Sequence, residues 1–316
     1  MAVFTTVTEQ QAQELLVNMP LGQLVSLQGI QGGIENTNYF LTSDQSEYVL
    51  TLFERLTQEQ LPFYLYLMKH LALHGIPVPN PQANHQGEIL LSVADKPAAI
   101  VNKLSGTNQL KPNAIHCKAV GAMLARMHLA GRDFDRHQPN LRSLPWWQKT
   151  TPLVLPFITQ PLQQVLQGEL AYQTHIAASS AYAALPRGPI HGDLFRDNVM
   201  FEGDTLAGLF DFYFAGVDSF LYDLCVCLND WCIDLETGIW DHERLHALID
   251  AYQSVRPLQA SERQLINAML RGAAIRFWIS RLWDFYLPRK ANMLKAHDPI
   301  HFERIVLERV RHPILL

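Results

Sequence analysis

The sequence is poor in charge and has no long apolar run. Charged residues make up 17% of its 316 residues and the formal net charge is -5, whereas a typical charged fraction is about 25%. An acidic balance disfavours a nucleic-acid or anionic-membrane surface as the main partner. No apolar run reaches the ~18 residues of a membrane span, and residues 1–6 lack the basic and apolar regions of a signal peptide. We therefore expect a cytoplasmic protein without nucleic-acid or membrane partners.

Cysteine is scarce as well. Three of the four cysteines, Cys225, Cys227 and Cys232, lie close together in sequence, which raises the possibility of a zinc site. On a helix, however, Cys225 and Cys227 would point about 200° apart, at ~100° per residue. A structural zinc site needs four convergent ligands. The pattern favours buried, reduced thiols.

The polar residues that could take part in catalysis or metal binding are concentrated in residues 189–216. Residues 199–201 and 206–210 have the composition of two short strands. Glu202-Gly203-Asp204-Thr205 between them has the composition of a turn. This segment is therefore predicted to form a β-hairpin.

Three oxygen-bearing side chains flank this hairpin. Asn198 precedes the first strand and Asp211 follows the second, which places both at the same open end of the pair. Asp193 enters that end from the preceding loop. Mg²⁺ prefers oxygen ligands, with water and phosphate completing its shell. Asn198 and Asp211 are therefore predicted metal ligands, and Asp193 is predicted to accept the proton of an attacking hydroxyl.

The order of these residues resembles the catalytic segment of kinase-like enzymes. Asp193 and Asn198 keep the spacing between a catalytic Asp and a metal-binding Asn, and residues 211–213 (Asp-Phe-Tyr) stand in place of Asp-Phe-Gly. The preceding His191-Gly192 gives a His-Gly-Asp form that resembles the aminoglycoside phosphotransferase and choline kinase branch. The resemblance implies a small-molecule phosphotransferase that uses ATP and Mg²⁺, in which His191 and Gly192 shape the turn at the site.

The same resemblance implies an α+β, two-lobe, protein-kinase-like fold. Residues 1–102 would form an N-lobe with an antiparallel sheet and a helix that cover the nucleotide. Residues 103–316 would form a mainly helical C-lobe with the catalytic hairpin and the substrate-binding helices. Within it, a helix is predicted at 222–235, and a capping box at Ser261-Glu262-Arg263-Gln264 is predicted to open a long helix to about residue 286.

Nucleotide binding is predicted from a Gly-rich segment at 29–41. It is no Walker A loop, because no Gly-Lys-Ser/Thr is present, but glycines let backbone N–H groups approach phosphate closely. Residues 99–102 resemble the hinge between the lobes, where backbone groups meet adenine. The predicted nucleotide-binding residues are Gly32, Gly33, Asn36, Asn38, Ile100 and Asn102.

One residue expected in a kinase is missing. Kinases carry a lysine on an N-lobe strand that holds the nucleotide phosphates, but residues 48–54 have Thr51 in the plausible position and no lysine. The helix predicted at 61–74 has no acidic residue to pair with one. This absence favours a pseudokinase, which would bind nucleotide or a partner without turnover. Intact Asp193, Asn198 and Asp211 favour an enzyme.

Longer stretches resemble the bacterial homoserine kinases of this aminoglycoside-kinase-like type, of pseudomonads and alpha-proteobacteria. These stretches are residues 33–40, 49–54, 61–64, 211–215, 227–232, 252–258 and 276–284. They extend over nearly the whole chain. The resemblance implies ATP-dependent phosphorylation of the side-chain hydroxyl of L-homoserine, a step towards threonine. It also implies that an enzyme of this type can turn over without the strand lysine.

The residues that would bind the phosphoryl acceptor are the least determined part of the prediction. The carboxylate of homoserine calls for an Arg fork, which Arg276 or Arg281 could supply, and its ammonium group calls for a carboxylate such as Asp230. Surface pairing, for example of Arg281 with Asp284, would explain these residues without any ligand. Choline, aminoglycoside and sugar kinases remain alternatives. We expect ATP and homoserine as partners of a monomer or homodimer.

Overall fold

The structure, a computed structural model, describes residues 5–30, 36–287 and 297–315. It divides into two compact units, composed of Met1–Ser105 with Ala207–Phe210 and of Gly106–Leu206 with Asp211–Leu316. Among the helices of the described residues, none is long and apolar enough to cross a membrane.

The first unit is built on a five-stranded sheet that is antiparallel throughout, in the order β1-β2-β3-β5-β4. Its elements are α1 (Glu9–Val17), β1 (Leu24–Gly29), β2 (Asn36–Ser43), β3 (Glu47–Phe53), α2 (Leu61–Leu73), β4 (Leu91–Val93) and β5 (Lys96–Asn102). Helix α1 begins where the sequence indicates, because Thr8 and Gln11 form a capping box that satisfies two backbone donors of the first turn.

The core of the first unit lies between its sheet and α1. Alternate strand residues such as Leu41, Leu50 and Ile100 are fully buried there, together with Ala12 and Leu16 of the helix. Burying a side chain such as leucine stabilises the folded state by about 1.5–3 kcal/mol. The period of two along the strands therefore determines which face of the sheet packs against α1.

The second unit is mainly helical. Its helices are α3 (Ala114–Ala130), α4 (Leu144–Val154), α5 (Gln160–Ala177), α6 (Ser180–Ala183), α7 (Phe220–Trp231), α8 (His242–Val255), α9 (Ala260–Tyr286) and α10 (Ile300–Arg311). The remaining strands form two small sheets, in the orders β6-β8-β9 and β7-β10. They are β6 (Thr107–Asn108), β7 (Arg187–Ile190), β8 (Val199–Glu202), β9 (Thr205–Leu209) and β10 (Gly216–Ser219).

Helix α7 is the centre of the second unit. All twelve of its residues are buried, and the long helix α9 packs against it, as it does against α4 and α10. Helices α3 and α8 form a second close pair. A Cβ atom on Gly121 of α3 would lie 2.1 Å from the carbonyl oxygen of Leu248 of α8, so only glycine allows this approach.

The structure corrects the predicted end of α7 and the predicted capping box of α9. Helix α7 ends at Trp231 rather than at residue 235, and Asp234 lies beyond it, where its Oδ1 accepts the N–H groups of Glu236 and Thr237. Hydrogen bonds from nearby backbone N–H groups to an Asp side chain stabilise a turn instead of a helix. The capping box of α9 is formed by Gln259 and Glu262 rather than by a box starting at Ser261, because Glu262 is the residue whose carboxylate reaches the backbone N–H of Gln259.

Candidate active site

The turn at His191-Gly192 connects β7 to the predicted catalytic segment, residues 193–198, and is held by Asp223. The N–H of His191 donates to Asp223 Oδ2 at 2.9 Å, and that of Gly192 donates to Oδ1 at 2.7 Å. Gly192 has φ +76°, and a Cβ atom there would lie 2.9 Å from the carbonyl oxygen of Phe214. Both the left-handed backbone and the close approach require glycine.

Asp193 follows this turn in an environment that disfavours its charge. Burial raises the pKa of Asp193 to about 8; the charges of Arg276 and Arg281 act to lower it, and that of Asp211 acts to raise it. The backbone N–H of Asp193 meets His191 Nδ1 at 3.3 Å. The pKa of Asp193 is therefore influenced by two guanidinium groups and by the carboxylates of Asp211 and Asp197.

Asn198 and Asp211 lie on either side of the β8–β9 hairpin. The Nδ2 group of Asn198 donates to the carbonyl oxygen of Asp193 at 2.8 Å, so its Oδ1 is the atom suited to bind a cation. Asp211 is exposed and has φ 65° and ψ 59°. This left-handed conformation is uncommon for a residue other than glycine, and strain of this kind is concentrated at functional sites.

Arg276 is a buried cation beside this group. Its residue is 3% exposed, and Nε and Nη2 have no hydrogen-bond partner among the described residues. The guanidinium group stacks on Phe277, 3.7 Å from the ring centre, and lies 5.0 Å from that of Phe214. A buried, incompletely bonded guanidinium group is costly, which makes it a candidate for binding an anionic ligand.

Asp230 forms hydrogen bonds with Arg196 of the predicted catalytic segment. Its Oδ2 accepts the backbone N–H of Arg196 at 2.8 Å and the Nε of the same residue at 3.1 Å. Arg196 Nη1 also donates to the carbonyl oxygen of Leu110 at 3.0 Å. This pair ties the segment to α7, so Asp230 has a structural partner that the sequence did not indicate.

The comparisons with known proteins agree with this geometry. Residues 26–258 match the model of the phosphotransferase enzyme family (APH). The chain is 62% identical over 316 residues to the homoserine kinase of Polaromonas naphthalenivorans, with 100% of both chains covered. It is 56% identical to the homoserine kinase of Burkholderia multivorans over 320 residues, which cover 99% of this chain and 96% of the relative. The chain belongs to the phosphotransferase enzyme family, and within it to the homoserine kinases.

Solved structures support the fold assigned to this homoserine kinase family member. A complex of the amicoumacin kinase hAmiN with AMP-PNP, Ca²⁺ and Ami has a TM-score of 0.71 at 17% identity, with 98% of this chain and 95% of that chain covered. A choline kinase from Cryptosporidium parvum Iowa II has a TM-score of 0.65 at 12% identity, with 96% of each chain covered. The predicted α+β, two-lobe, kinase-like fold is confirmed.

The predicted nucleotide-binding residues of this homoserine kinase family member belong to the first unit. Gly32 and Gly33 lie outside the described residues. Asn36 and Asn38 are in β2, and Asn38 Oδ1 accepts the hydroxyl of Thr51 at 2.7 Å. Thr51 therefore occupies the strand position where kinases carry a lysine, and its buried hydroxyl donates a hydrogen bond to Asn38 of β2.

The predicted hinge residues have partners within the first unit. Ile100 is fully buried in β5, and its carbonyl oxygen accepts the N–H of Gln82 at 2.8 Å. Asn102 ends the strand, and its Oδ1 accepts the N–H of Asn80 at 2.6 Å. Their role in adenine binding stays a prediction.

Asp223 is the site residue that sequence reasoning missed. The sequence showed an acidic residue on a predicted helix 30 positions after Asp193, with no sign of what it would contact. The partner of Asp223 is His128 of α3, which is 0% exposed and whose Nε2 lies 3.0 Å from Asp223 Oδ2. Sequence pattern carried no specific signal for this contact, because α7 has two acidic residues, Asp223 and Asp230, and His128 lies 95 positions from Asp223.

Proposed function

We propose that this chain transfers the γ-phosphoryl group of ATP to the side-chain hydroxyl of L-homoserine and so forms O-phospho-L-homoserine. The observation that carries the proposal is 62% identity over the full length of a homoserine kinase. The juxtaposition of Asp193, Asn198 and Asp211 with the buried Arg276 and the half-buried Arg281 supports it chemically.

The residues at the hairpin suit a hard divalent cation. Asn198 offers an amide oxygen and Asp211 a carboxylate, which are ligands that Mg²⁺ prefers beside phosphate oxygens and water. When bound, the cation would neutralise the charge on the nucleotide phosphates during transfer. The positive charge of a cation at Asn198 and Asp211 would also lower the pKa of Asp193. Asp193 would then be ionised in the loaded site.

We assign Asp193 the role of orienting the acceptor hydroxyl and taking its proton. Phosphoryl transfer passes through a loose transition state, so a fixed position contributes more than strong basicity. The backbone of Asp193 is held on both sides, since its N–H contacts His191 and its carbonyl oxygen accepts from Asn198. His191 and Gly192 in turn are held by Asp223.

Arg276 is the residue that we assign to the carboxylate of the acceptor. Its unpaired Nε and Nη2 could form the two parallel bonds of a guanidinium–carboxylate pair. Arg281 is close enough for the charge of Asp193 to raise its pKa, although burial lowers it below the usual value. Because Arg196 occupies Asp230, we assign Asp230 to holding the catalytic segment and leave the ammonium site unassigned.

Arg276→Met is expected to raise the KM for homoserine by about 10- to 100-fold, since hydrogen bonds to charged groups contribute about 1.5–3 kcal/mol. Methionine keeps the apolar contact with Phe277 and removes the charge. The test compares homoserine with 3-amino-1-propanol, which lacks the carboxylate. The preference of the enzyme for homoserine should largely disappear in the variant.

The matched control is Arg271→Met on the same helix. Arg271 pairs with Glu169 through Nε at 2.8 Å, so its loss should leave the ratio of the two acceptors unchanged. A parallel loss for homoserine and 3-amino-1-propanol in Arg276→Met would show that Arg276 does not bind the carboxylate.

The proposed function is tested by ADP release from Mg-ATP with a panel of hydroxyl acceptors. We expect homoserine to give the highest kcat/KM. Preference for choline, an aminoglycoside or a sugar would instead support the corresponding kinase of the same fold. Binding of Mg-ATP without acceptor-dependent ADP release would support a pseudokinase, the reading that the missing strand lysine favours.

The wider assignments follow from the same proposal. Residues 1–102 would cover the nucleotide, and residues 103–316 would carry catalysis and the acceptor. A biosynthetic kinase that uses ATP would act in the cytoplasm. Sedimentation analysis would decide between a monomer and a homodimer.

A further inference from the structure

A buried chain of hydrogen bonds leads from the catalytic turn to the junction of α8 and α9. His128 Nδ1 lies 2.8 Å from the hydroxyl of Tyr252, which accepts Arg256 Nη1 at 3.1 Å. Arg256 also donates to both carboxylate oxygens of Glu262, at 3.0 and 3.2 Å. His128, Asp223, Tyr252 and Glu262 are 0% exposed, and Arg256 is 4% exposed. This hydrogen-bond chain is therefore closed to water along its whole length.

The far end of this chain is firmly held. Arg256 follows α8, and Glu262 lies in the first turn of α9, where it also accepts the N–H of Gln259 at 2.9 Å. A two-pronged guanidinium–carboxylate pair restricts both position and orientation. The junction of the two helices thus presents Tyr252 with a donor in a defined place.

The donors and acceptors of this hydrogen-bond chain can be assigned in one consistent set when the ring of His128 is neutral. Arginine has donors but no acceptor, so the hydroxyl oxygen of Tyr252 accepts from Arg256 and its proton points to His128. Burial lowers the pKa of His128, which favours a neutral ring whose Nδ1 accepts that proton. Its Nε2 then carries the remaining hydrogen and donates to Asp223.

Asp223 accepts the hydrogen bond from His128 Nε2 at the catalytic end of this hydrogen-bond chain. Burial acts to raise its pKa, but the bond from His128 and the backbone bond from Gly192 hold it below the usual value. An ionised carboxylate is an acceptor only, so both of its oxygens remain available to the N–H groups of His191 and Gly192. The orientation of the turn depends on the orientation of this carboxylate.

We infer that Tyr252 and Arg256 are positioning residues for the catalytic turn and act through His128 and Asp223. Neither belongs to the segment to which we assign the chemistry, since Tyr252 lies in α8 and Arg256 follows it. Their effect is to fix the imidazole from the side opposite Asp223, so that the carboxylate cannot rotate away from the turn. The inference rests on the proposed role of Asp193 for its effect on rate, but not for its effect on the turn itself.

Tyr252→Phe is the test, because it removes one oxygen and keeps the ring that lies against His128. We expect kcat for homoserine to fall about 10-fold while the KM values for homoserine and ATP change less than about two-fold, since small displacements of a catalytic group reduce turnover strongly. Amide hydrogen exchange at His191 and Gly192 should become faster. The ¹⁵N spectrum of His128 should change at Nδ1, which loses its donor.

Gln173→Met is the matched control. It removes another buried hydrogen bond of the second unit, from Gln173 Nε2 to the carbonyl oxygen of Ala268 at 2.8 Å. Both variants should lower the melting temperature by similar amounts, and only Tyr252→Phe should change kcat and exchange at the turn. A loss of kcat no larger than that of the control would overturn the inference, as would unchanged exchange at His191 and Gly192.

Failure of the proposed function gives a different result. In that case the unaltered protein would not phosphorylate homoserine, whereas the exchange and ¹⁵N measurements would still report on the turn. Faster exchange confined to the turn would then uphold the connection from Tyr252 to Asp223. Unchanged exchange would refute it whatever the substrate.

Discussion

Replacement of Asp193 by asparagine is expected to lower kcat for homoserine by about 10²–10⁴, the usual contribution of a general base. Asparagine keeps the shape of the side chain but cannot take up the proton. The contacts that hold this residue use its backbone N–H and carbonyl oxygen, so the turn should persist. The measurement is kcat beside an equilibrium affinity for Mg-ATP, which should change little.

Asp197→Asn is the control for this variant. Asp197 is exposed in the same segment, where its backbone carbonyl oxygen accepts Asn108 Nδ2 at 2.8 Å. Its replacement should reduce turnover far less than that of Asp193. Normal turnover by Asp193→Asn would remove this residue from the mechanism. A joint loss of ATP affinity and kcat would make it a structural or metal-site residue.

Asp211→Asn is expected to lose most turnover, by about 10²-fold or more, because a charged ligand to the catalytic cation contributes several kcal/mol to the transition state. The variant is well suited to test charge alone. Asp211 has φ 65°, and asparagine adopts left-handed backbone more readily than most residues. The backbone should therefore keep its conformation while the negative charge is lost.

The Asp211 prediction is checked by kcat and apparent Mg²⁺ affinity over a range of Mg²⁺ concentrations. The control is Asp204→Asn in the turn of the same hairpin, where the carboxylate is exposed and lies 3.4 Å from His116 Nε2. That control should behave like the unaltered protein. A near-normal rate for Asp211→Asn at saturating Mg²⁺ would contradict its assignment as a metal ligand.

The parts of the site that could be predicted are close together in sequence. Asp193, Asn198 and Asp211 are brought to one place by a single hairpin, whose strands and turn are determined by local preferences. The capping box of α1 is equally local, since it spans the four residues from Thr8 to Gln11. Arg276 and Arg281 were predicted from the resemblance and from their charge, and the structure places both near Asp193.

The parts that could not be predicted depend on distant contacts. Asp223 lies 32 and 31 residues from the N–H groups that it accepts, and Arg196 lies 34 residues from Asp230. In each case the acidic residue is on a helix whose rotation is set by packing against α9. Pattern alone showed an Asp on a helix face, which is compatible with a solvated position or a buried one.

The sequence by itself determined the hairpin that carries the predicted catalytic residues, because strands and turns depend on preferences within short stretches. Its resemblance to kinase-like enzymes implied the antiparallel sheet of the first unit and the helical second unit. Only the tertiary structure decided which polar side chains serve the site and which support it. Asp230 changed from a candidate ligand for the acceptor to the partner of Arg196, and Asp223 became the anchor of the catalytic turn. The physical reason is that a buried charge must be paired, and the partner is chosen by the packing of helices that lie far apart in the chain.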